Sequence, residues 1–576
     1  VVLTDVDTAN GAITVSAGGA ITATDVASVT DNDANDISLT GVGIAATLIN
    51  AGSAGDVTLN AGTGAITQDG TVDNNDVTGD VLTADATTGI DLDTTVASAN
   101  LSVSGTGSID LAELDAITLT DIDTANGVIT VTAGGAIAAT DVASVTDNDA
   151  NDISLTGVGI AATLINAGSA GDVTLNAGTG SITQDGIDDK DDVTADQLDI
   201  TASLSVDIDT SVTSVNITAG ATKIDEANNI DLGLVSVSTL DLVAGTEVTD
   251  DAQTATVTGV TKVEAGTDIV LDTASNTFGE LTLKAGNEIA IRETGSISGT
   301  AVAKSLQARA TTGIEFKSGT AVSTLAVLSD AGDIKIANTG GLTISPVASF
   351  TKNLGLSGIT LSGVATGNQV VEVLTQSPIT VNAPITNETI GKIVLAAQGV
   401  AVTDDVTINS TITGDAVEIY AGDSITLSST ASVQVKDAAG NNTYAYSSLQ
   451  VLDATSARDY GTTKLHYGTN YNSGALSSGF ALADVVISDL ATLESIIDIN
   501  NVSSTKLVIY GPSRRLLYVT DDQNQEYFIA LDPSVELAGE WNRSDLGNVF
   551  ISNELTGSFF QSTEEGTIEI EELEEK

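Results

Sequence analysis

Residues 3–70 recur at 119–186, a spacing of 116, with five substitutions over 68 positions: Val6 to Ile122, Ala12 to Val128, Ser16 to Thr132, Thr22 to Ala138 and Ala65 to Ser181. All five are small or conservative, as expected where each position meets the same packing environment twice. Inside this long repeat lies a shorter one, apolar-x-apolar-x-(Ala/Gly)-Gly-x-x-apolar. It reads ITVSAGGAI from Ile13, VTLNAGTGAI from Val57, LSVSGTGSI from Leu101, LTLKAGNEIAI from Leu281 and VEIYAGDSITL from Val417. Several units start 44 residues apart, which predicts two turns of about 22 residues each, in the range of solenoid repeats.

Within each unit the period is two. β-Branched residues alternate with Thr, Ser, Asn or Asp and end at Gly or Ala-Gly, the pattern of short strands separated by tight corners. No convincing 3.6 period occurs before about residue 488, so helical solenoids and leucine-rich repeats fit poorly. The reading is all-β: a right-handed parallel β-helix over residues 1–440, whose narrow interior takes only small aliphatic side chains. Aromatic usage agrees, because only Phe278, Phe316, Phe350 and Tyr420 precede residue 440, and an ordinary core of that size would need rings. At roughly 21 residues per coil and about 4.8 Å per stacked strand, this stretch predicts a rod on the order of 100 Å long.

The segments VTLNAGTGAITQDG and TDIVLDTASNTFGELTLKAGNEIAI (residues 267–291) resemble the repeats of filamentous-haemagglutinin-like and related giant bacterial surface proteins. The resemblance covers most of residues 1–435. It implies an exported, extracellular or cell-surface protein and a part in adhesion, biofilm or surface-layer structure. The amino-terminal secretion domain of the two-partner-secreted members, with its Asn-Pro signature, is not found. The chain starts at Val1 in mid-repeat, without a basic-then-apolar leader, and reads as a fragment of something longer.

Composition excludes several chemistries. With no Cys there is no disulfide scaffold, thiolate metal site or cysteine nucleophile, and a single histidine, His466, cannot supply a multi-histidine metal centre. A net charge of −59 repels phosphate backbones, which argues against nucleic acid. No run of about 18 apolar residues marks a transmembrane helix. Nucleotide-binding, serine-hydrolase and zinc-protease motifs are missing, and His466 has no partner in the sequence, so the chain reads as a non-enzyme.

Charge is unevenly placed: residues 1–189 hold 27 acidic residues and no Lys or Arg. The candidate ligand sets are Asp31, Asp33 and Asp36, duplicated as Asp147, Asp149 and Asp152, and Asp5, Asp7 and Asn10, duplicated as Asp121, Asp123 and Asn126. Closely spaced Asp and Asn side chains with nearby carbonyls suit Ca²⁺. The same spacing also suits Asx-turns at β-helix corners, where these side chains bond their own backbone. Both readings stand at this point.

From residue 441 the composition shifts, with 14 of the 18 aromatic residues and the sole tryptophan, Trp541. Residues 441–576 read as a capping or assembly module. Ser488 caps a predicted helix presenting Leu490, Leu493 and Ile497. KLVIYG, LLYVTDDQNQEYFIAL and NVFIS read as strands, with Asp521 to Gln525 at a hairpin turn. TIEIEEL, in the acidic tail, has the alternation of an edge strand. Tyr460, Tyr467, Tyr471 and Trp541 suit internal packing, subunit contact or stacking on a glycan. Two functions follow as expectations: a structural subunit of a surface filament, sheath or layer that self-associates, and the stalk of an adhesin whose binding tip is missing or lies in 441–576. An open first coil that accepts a neighbour's strand is the expected route to head-to-tail growth.

Overall fold

The computed structural model describes residues 1–68, 70, 76–184, 186, 192–251, 253–347, 354–363, 368–397, 405–421, 424–427 and 431–436, and beyond these only strands at 442–444, 463–467, 471–472, 475–476, 484–487, 502–510, 514–521, 526–531, 561–562 and 568–569. Among the described residues every regular element is a strand and none is a helix. The strands stack in parallel as a β-solenoid of about 19 turns. Among the described residues no helix is long and apolar enough to cross a membrane. The chain falls into two units, Val1–Asp268 with Ser275–Gly279, and Ile269–Ala274 with Glu280–Lys576.

In the first unit three short strands make a coil. Val2–Leu3, Val6–Thr8 and Ile13–Ser16 pair in register with Ile21–Ala23, Val26–Ser28 and Ile37–Thr40. Strict alternation places one side chain inward and the next outward, and the inward ones stack in columns. One column runs Ile21, Ile44, Ile66, Ile90, Ile109, Ile129, Ile153 and Val173, none more than 2% exposed. Burial of each such side chain stabilises the coil by about 1.5–3 kcal/mol. The column asks only for an aliphatic residue at each level, so coils of unequal length share it.

The register shows something the repeat does not. Ile129, Ile153 and Val173 are the counterparts, 116 residues on, of Ile13, Ile37 and Val57, which stack on one another in the first copy. In the second copy they stand on the column of Ile21, Ile44 and Ile66 instead. The true counterparts of that trio, Ile137, Ile160 and Ile182, rise from Ile117. The long repeat is therefore not a whole number of coils, and nearly identical sequences occupy different columns in the two copies.

In the second unit the strands lengthen, and Ile297–Ala310 pairs along most of Ile314–Ser329. The expectation that the interior takes only small aliphatic residues is corrected here. Phe316 is 1% exposed, and it stacks directly on Gly299. A level with no side chain gives the ring the room that an aliphatic level would fill. A second apolar cluster forms from Val270, Ala290, Ala326, Val347 and Leu356, with Leu328 and Leu354 against it.

Past residue 440, Thr463–Tyr467 and Asp484–Ile487 continue the parallel stack on Ala416–Ala421 and Ser424–Leu427. Val502–Tyr510, Arg514–Asp521 and Glu526–Leu531 form an antiparallel sheet, in which Thr520 opposite Glu526 closes the expected hairpin. Ile568–Glu569 pairs antiparallel with Gln561–Ser562. The predicted helix after Ser488, with Leu490, Leu493 and Ile497, the NVFIS strand, Tyr460, Trp541 and the turn residues 522–525 lie outside the described residues.

Candidate functional site

The corner before the strand Ile37–Thr40 holds Asp31, Asp33 and Asp36, and the structure sends these carboxylates to different partners. Asp31 accepts the backbone N–H of Ala54 at 2.8 Å and the hydroxyl of Ser53 at 2.8 Å, both on the next coil. Its counterpart Asp147 takes Ala170 N–H at 2.8 Å and the Ser169 hydroxyl at 2.7 Å. Asp36 accepts Asp56 N–H at 3.2 Å and Asp152 accepts Asp172 N–H at 3.1 Å. Asp33 and Asp149 are exposed. A glycine makes the Asp31 contact possible: Gly52 has φ +77°, and a Cβ there would stand 2.8 Å from Oδ1 of Asp31; Gly168 repeats this against Asp147.

The turn itself is held by residues that sequence reading passed over. Asn32 Oδ1 accepts Ala34 N–H at 3.0 Å and Asn148 Oδ1 accepts Ala150 N–H at 3.1 Å, both Asx-turns. Asn35 is fully buried; its Oδ1 accepts Gly11 N–H at 2.7 Å and its amide nitrogen donates to the Thr30 carbonyl. In the second copy Asn151 donates to the Thr146 carbonyl and to Asn126 Oδ1, each at 2.8 Å. The available signal was phase: Asn35 lies two residues before the inward Ile37 and so points inward too.

In the second set the aspartates come together, without Asn10 or Asn126. Asp121, Asp123 and Asp141 lie close enough for their charges to interact, and Asp123 is pushed up to about 6, by burial first and then by Asp121 and Asp141. Asp7, although exposed, is raised for the same reasons, desolvation first, then Asp5 and Asp25. Asn10 is exposed. A third series appears only in three dimensions. Asp56 is raised by burial and by Asp36, Asp80 and Asp33, against the lowering effect of Val81 N–H; Asp172 is raised by burial and by Asp152, Asp196 and Asp149, against Gln197 N–H. Each copy thus carries a stair of carboxylates climbing from coil to coil. Among the described residues no group of three or more His, Cys, Asp or Glu is placed to hold a metal ion.

Two of the buried glutamates, Glu113 and Glu226, share one arrangement. Glu113 Oε2 accepts the Thr94 hydroxyl at 2.7 Å and Val96 N–H at 3.0 Å, while Oε1 accepts Asp115 N–H at 3.1 Å. Glu226 repeats the arrangement with Thr210 at 2.8 Å, Val212 N–H at 3.0 Å and Asn228 N–H at 2.9 Å. Burial raises Glu113 in spite of these donors. Both glutamates brace the end of a strand against the coil below.

After the first basic residues the outer columns change character. Asp207, Lys223, Asp241 and Lys262 stand in register on successive strands, with Lys223 2.9 Å from Asp207 and Lys262 2.8 Å from Asp241. In this column acid and base alternate.

These alternating coils are where a known family enters. A family described as repeats of unknown function (DUF5649) matches residues 219–285. No curated protein and no solved structure matches the chain. The matched stretch spans the strands from Ala221–Glu226 to Glu280–Ala285.

Proposed function

We propose that this chain is a structural protein of the bacterial surface: a stiff β-helical element that builds an extracellular filament, sheath or layer by associating with further copies. The observation that carries the reading is the use of the polar groups. Asp31, Asp36, Glu113 and their counterparts all bond hydroxyls or N–H groups of neighbouring coils or of their own corner. They tie coil to coil; they do not converge on a substrate-sized cleft. Stacked aliphatic columns with polar ties at the corners resist bending, and stiffness is what a surface element supplies. Placement at the bacterial surface rests on the likeness of the repeats, and the reading includes no catalysis.

Electron microscopy of the native material, purified without denaturant, tests it. Ordered fibres or sheets are the expected result. Isolated particles at every protein concentration would refute association and favour the adhesin-stalk reading.

A further inference from the structure

One corner of the first unit carries an apolar row that the fold does not require. On successive coils it reads Leu114, Gly134, Val158, Gly180, Leu204, Gly220. Val158 N–H bonds the carbonyl of Gly135 at 2.8 Å and Leu204 N–H that of Gly180 at 3.2 Å. The glycines are forced by stacking, because a Cβ at Gly134 or Gly220 would stand 2.1 or 1.9 Å from the carbonyl oxygen of Leu114 or Leu204 below. Every second coil can carry a side chain, a spacing of roughly 9.6 Å at about 4.8 Å per coil. Stacking does not dictate that these side chains be apolar. Yet Leu114, Val158 and Leu204 are 47%, 49% and 59% exposed, on coils whose outward positions are mostly Thr, Ser, Asn and Asp.

Beside this row lies a shallow concavity of about 380 Å³, lined by Ala116, Ala136, Ala138, Gly159, Ala161 and neighbouring Ile, Ser and Thr residues, with no charged group among them. It is a neutral strip in a stretch that holds 27 acidic residues and no base. Two copies with a net charge of −59 each repel wherever carboxylates face one another, and this strip is where they can approach.

We propose that this corner seats the same corner of a second copy, with the Leu and Val side chains of one molecule entering the glycine gaps and small-residue trough of the other. Knobs and gaps share one period, so the surface is complementary to itself in an antiparallel, two-fold contact. The first copy of the repeat carries a shorter version, Val42 between Gly19 and Gly64, with Val42 47% exposed. Because the repeat is not a whole number of coils, that version stands on a different column, and a chain with two such corners extends an assembly instead of closing a pair. This inference rests on the association reading and names its contact surface.

The chain has no cysteine, so single thiols report the contact directly. Full-length Val158→Cys and Ala138→Cys proteins are mixed in high salt, which screens the repulsion, and oxidised gently. The expected result is a mixed cross-linked dimer formed about tenfold faster than with Thr174→Cys, an exposed strand residue in another column, because docking raises the effective concentration of the paired thiols. Sedimentation of unmodified protein and of a Leu114→Asp/Val158→Asp double variant accompanies it, and the variant, left with the shorter Val42 corner, is expected to stop at pairs with its melting temperature unchanged. If the unmodified protein assembles while cross-linking is no faster than the Thr174→Cys control, or while the double variant assembles equally well, the seat is wrong and the association reading stands. If the unmodified protein stays monomeric in every salt, the association reading falls and the seat with it.

Discussion

At Asp123 the geometry forces a choice between repulsion and protonation. Burial, Asp121 and Asp141 raise its carboxyl from 3.8 to about 6, so the folded state holds a proton that the unfolded chain releases near pH 4. A raised acid contributes stability that is complete below the unfolded value and is lost as pH rises through the folded one. Between pH 7 and pH 5 the folded protein takes up this proton and gains stability. Asp7, Asp56, Asp110, Asp141 and Asp172 are shifted upward as well, so their effects add in the same direction. The melting temperature is expected to rise from pH 7.5 to pH 5, and Asp123→Asn is expected to flatten part of that rise. A melting temperature that falls over this interval would contradict the assignment.

At the scale of strands, the most unusual placement is Gln307. It lies on Ile297–Ala310, fully buried between Ala290 and Ala326, which belong to the apolar cluster with Val270, Val347 and Leu356. Among the described residues neither its Oε1 nor its Nε2 has a hydrogen-bond partner. An unsatisfied buried amide costs about 1–3 kcal/mol, whereas an aliphatic side chain of similar volume adds burial without that penalty. Gln307→Leu is therefore expected to raise the urea midpoint of full-length protein; a lower midpoint would mean that the amide is satisfied by a group, such as water, that leucine displaces. The sequence showed strands but not such neighbours. Alternation located Ile13–Ser16, Val57–Asn60 and Glu280–Ala285, because inward and outward phase is a local property. Which coil lies under which is not local. The stacking of Phe316 on Gly299, the glutamate braces at Glu113 and Glu226, and the shifted columns of the two copies depend on coil length summed over many corners. The candidate acids were legible as duplicated clusters, but their separation into coil-to-coil ties and stairs was not.

For the whole molecule the acidic excess sets how it answers to ions. A net charge of −59 opposes the compact state, and mobile cations reduce that opposition over a screening length of about 8 Å at 0.15 M salt. Specific calcium binding would require several oxygen ligands to converge on one ion. Instead Asp31 and Asp36 each bond backbone N–H groups of the next coil, and among the described residues no acidic group of three is placed for a metal. Screening and binding differ in concentration dependence. Screening follows ionic strength whatever the cation, whereas a ligand with affinity for the folded state stabilises in proportion to the logarithm of its own concentration above its dissociation constant. The melting temperature is expected to rise with salt and to coincide for sodium and calcium chlorides at matched ionic strength, with a chelator in low salt leaving it unchanged. A rise at submillimolar calcium that sodium does not reproduce, reversed by the chelator, would instead place a bound ion on the duplicated aspartates. Asp31→Asn with Asp147→Asn, and separately Asp121→Asn with Asp123→Asn, would then show which set holds it.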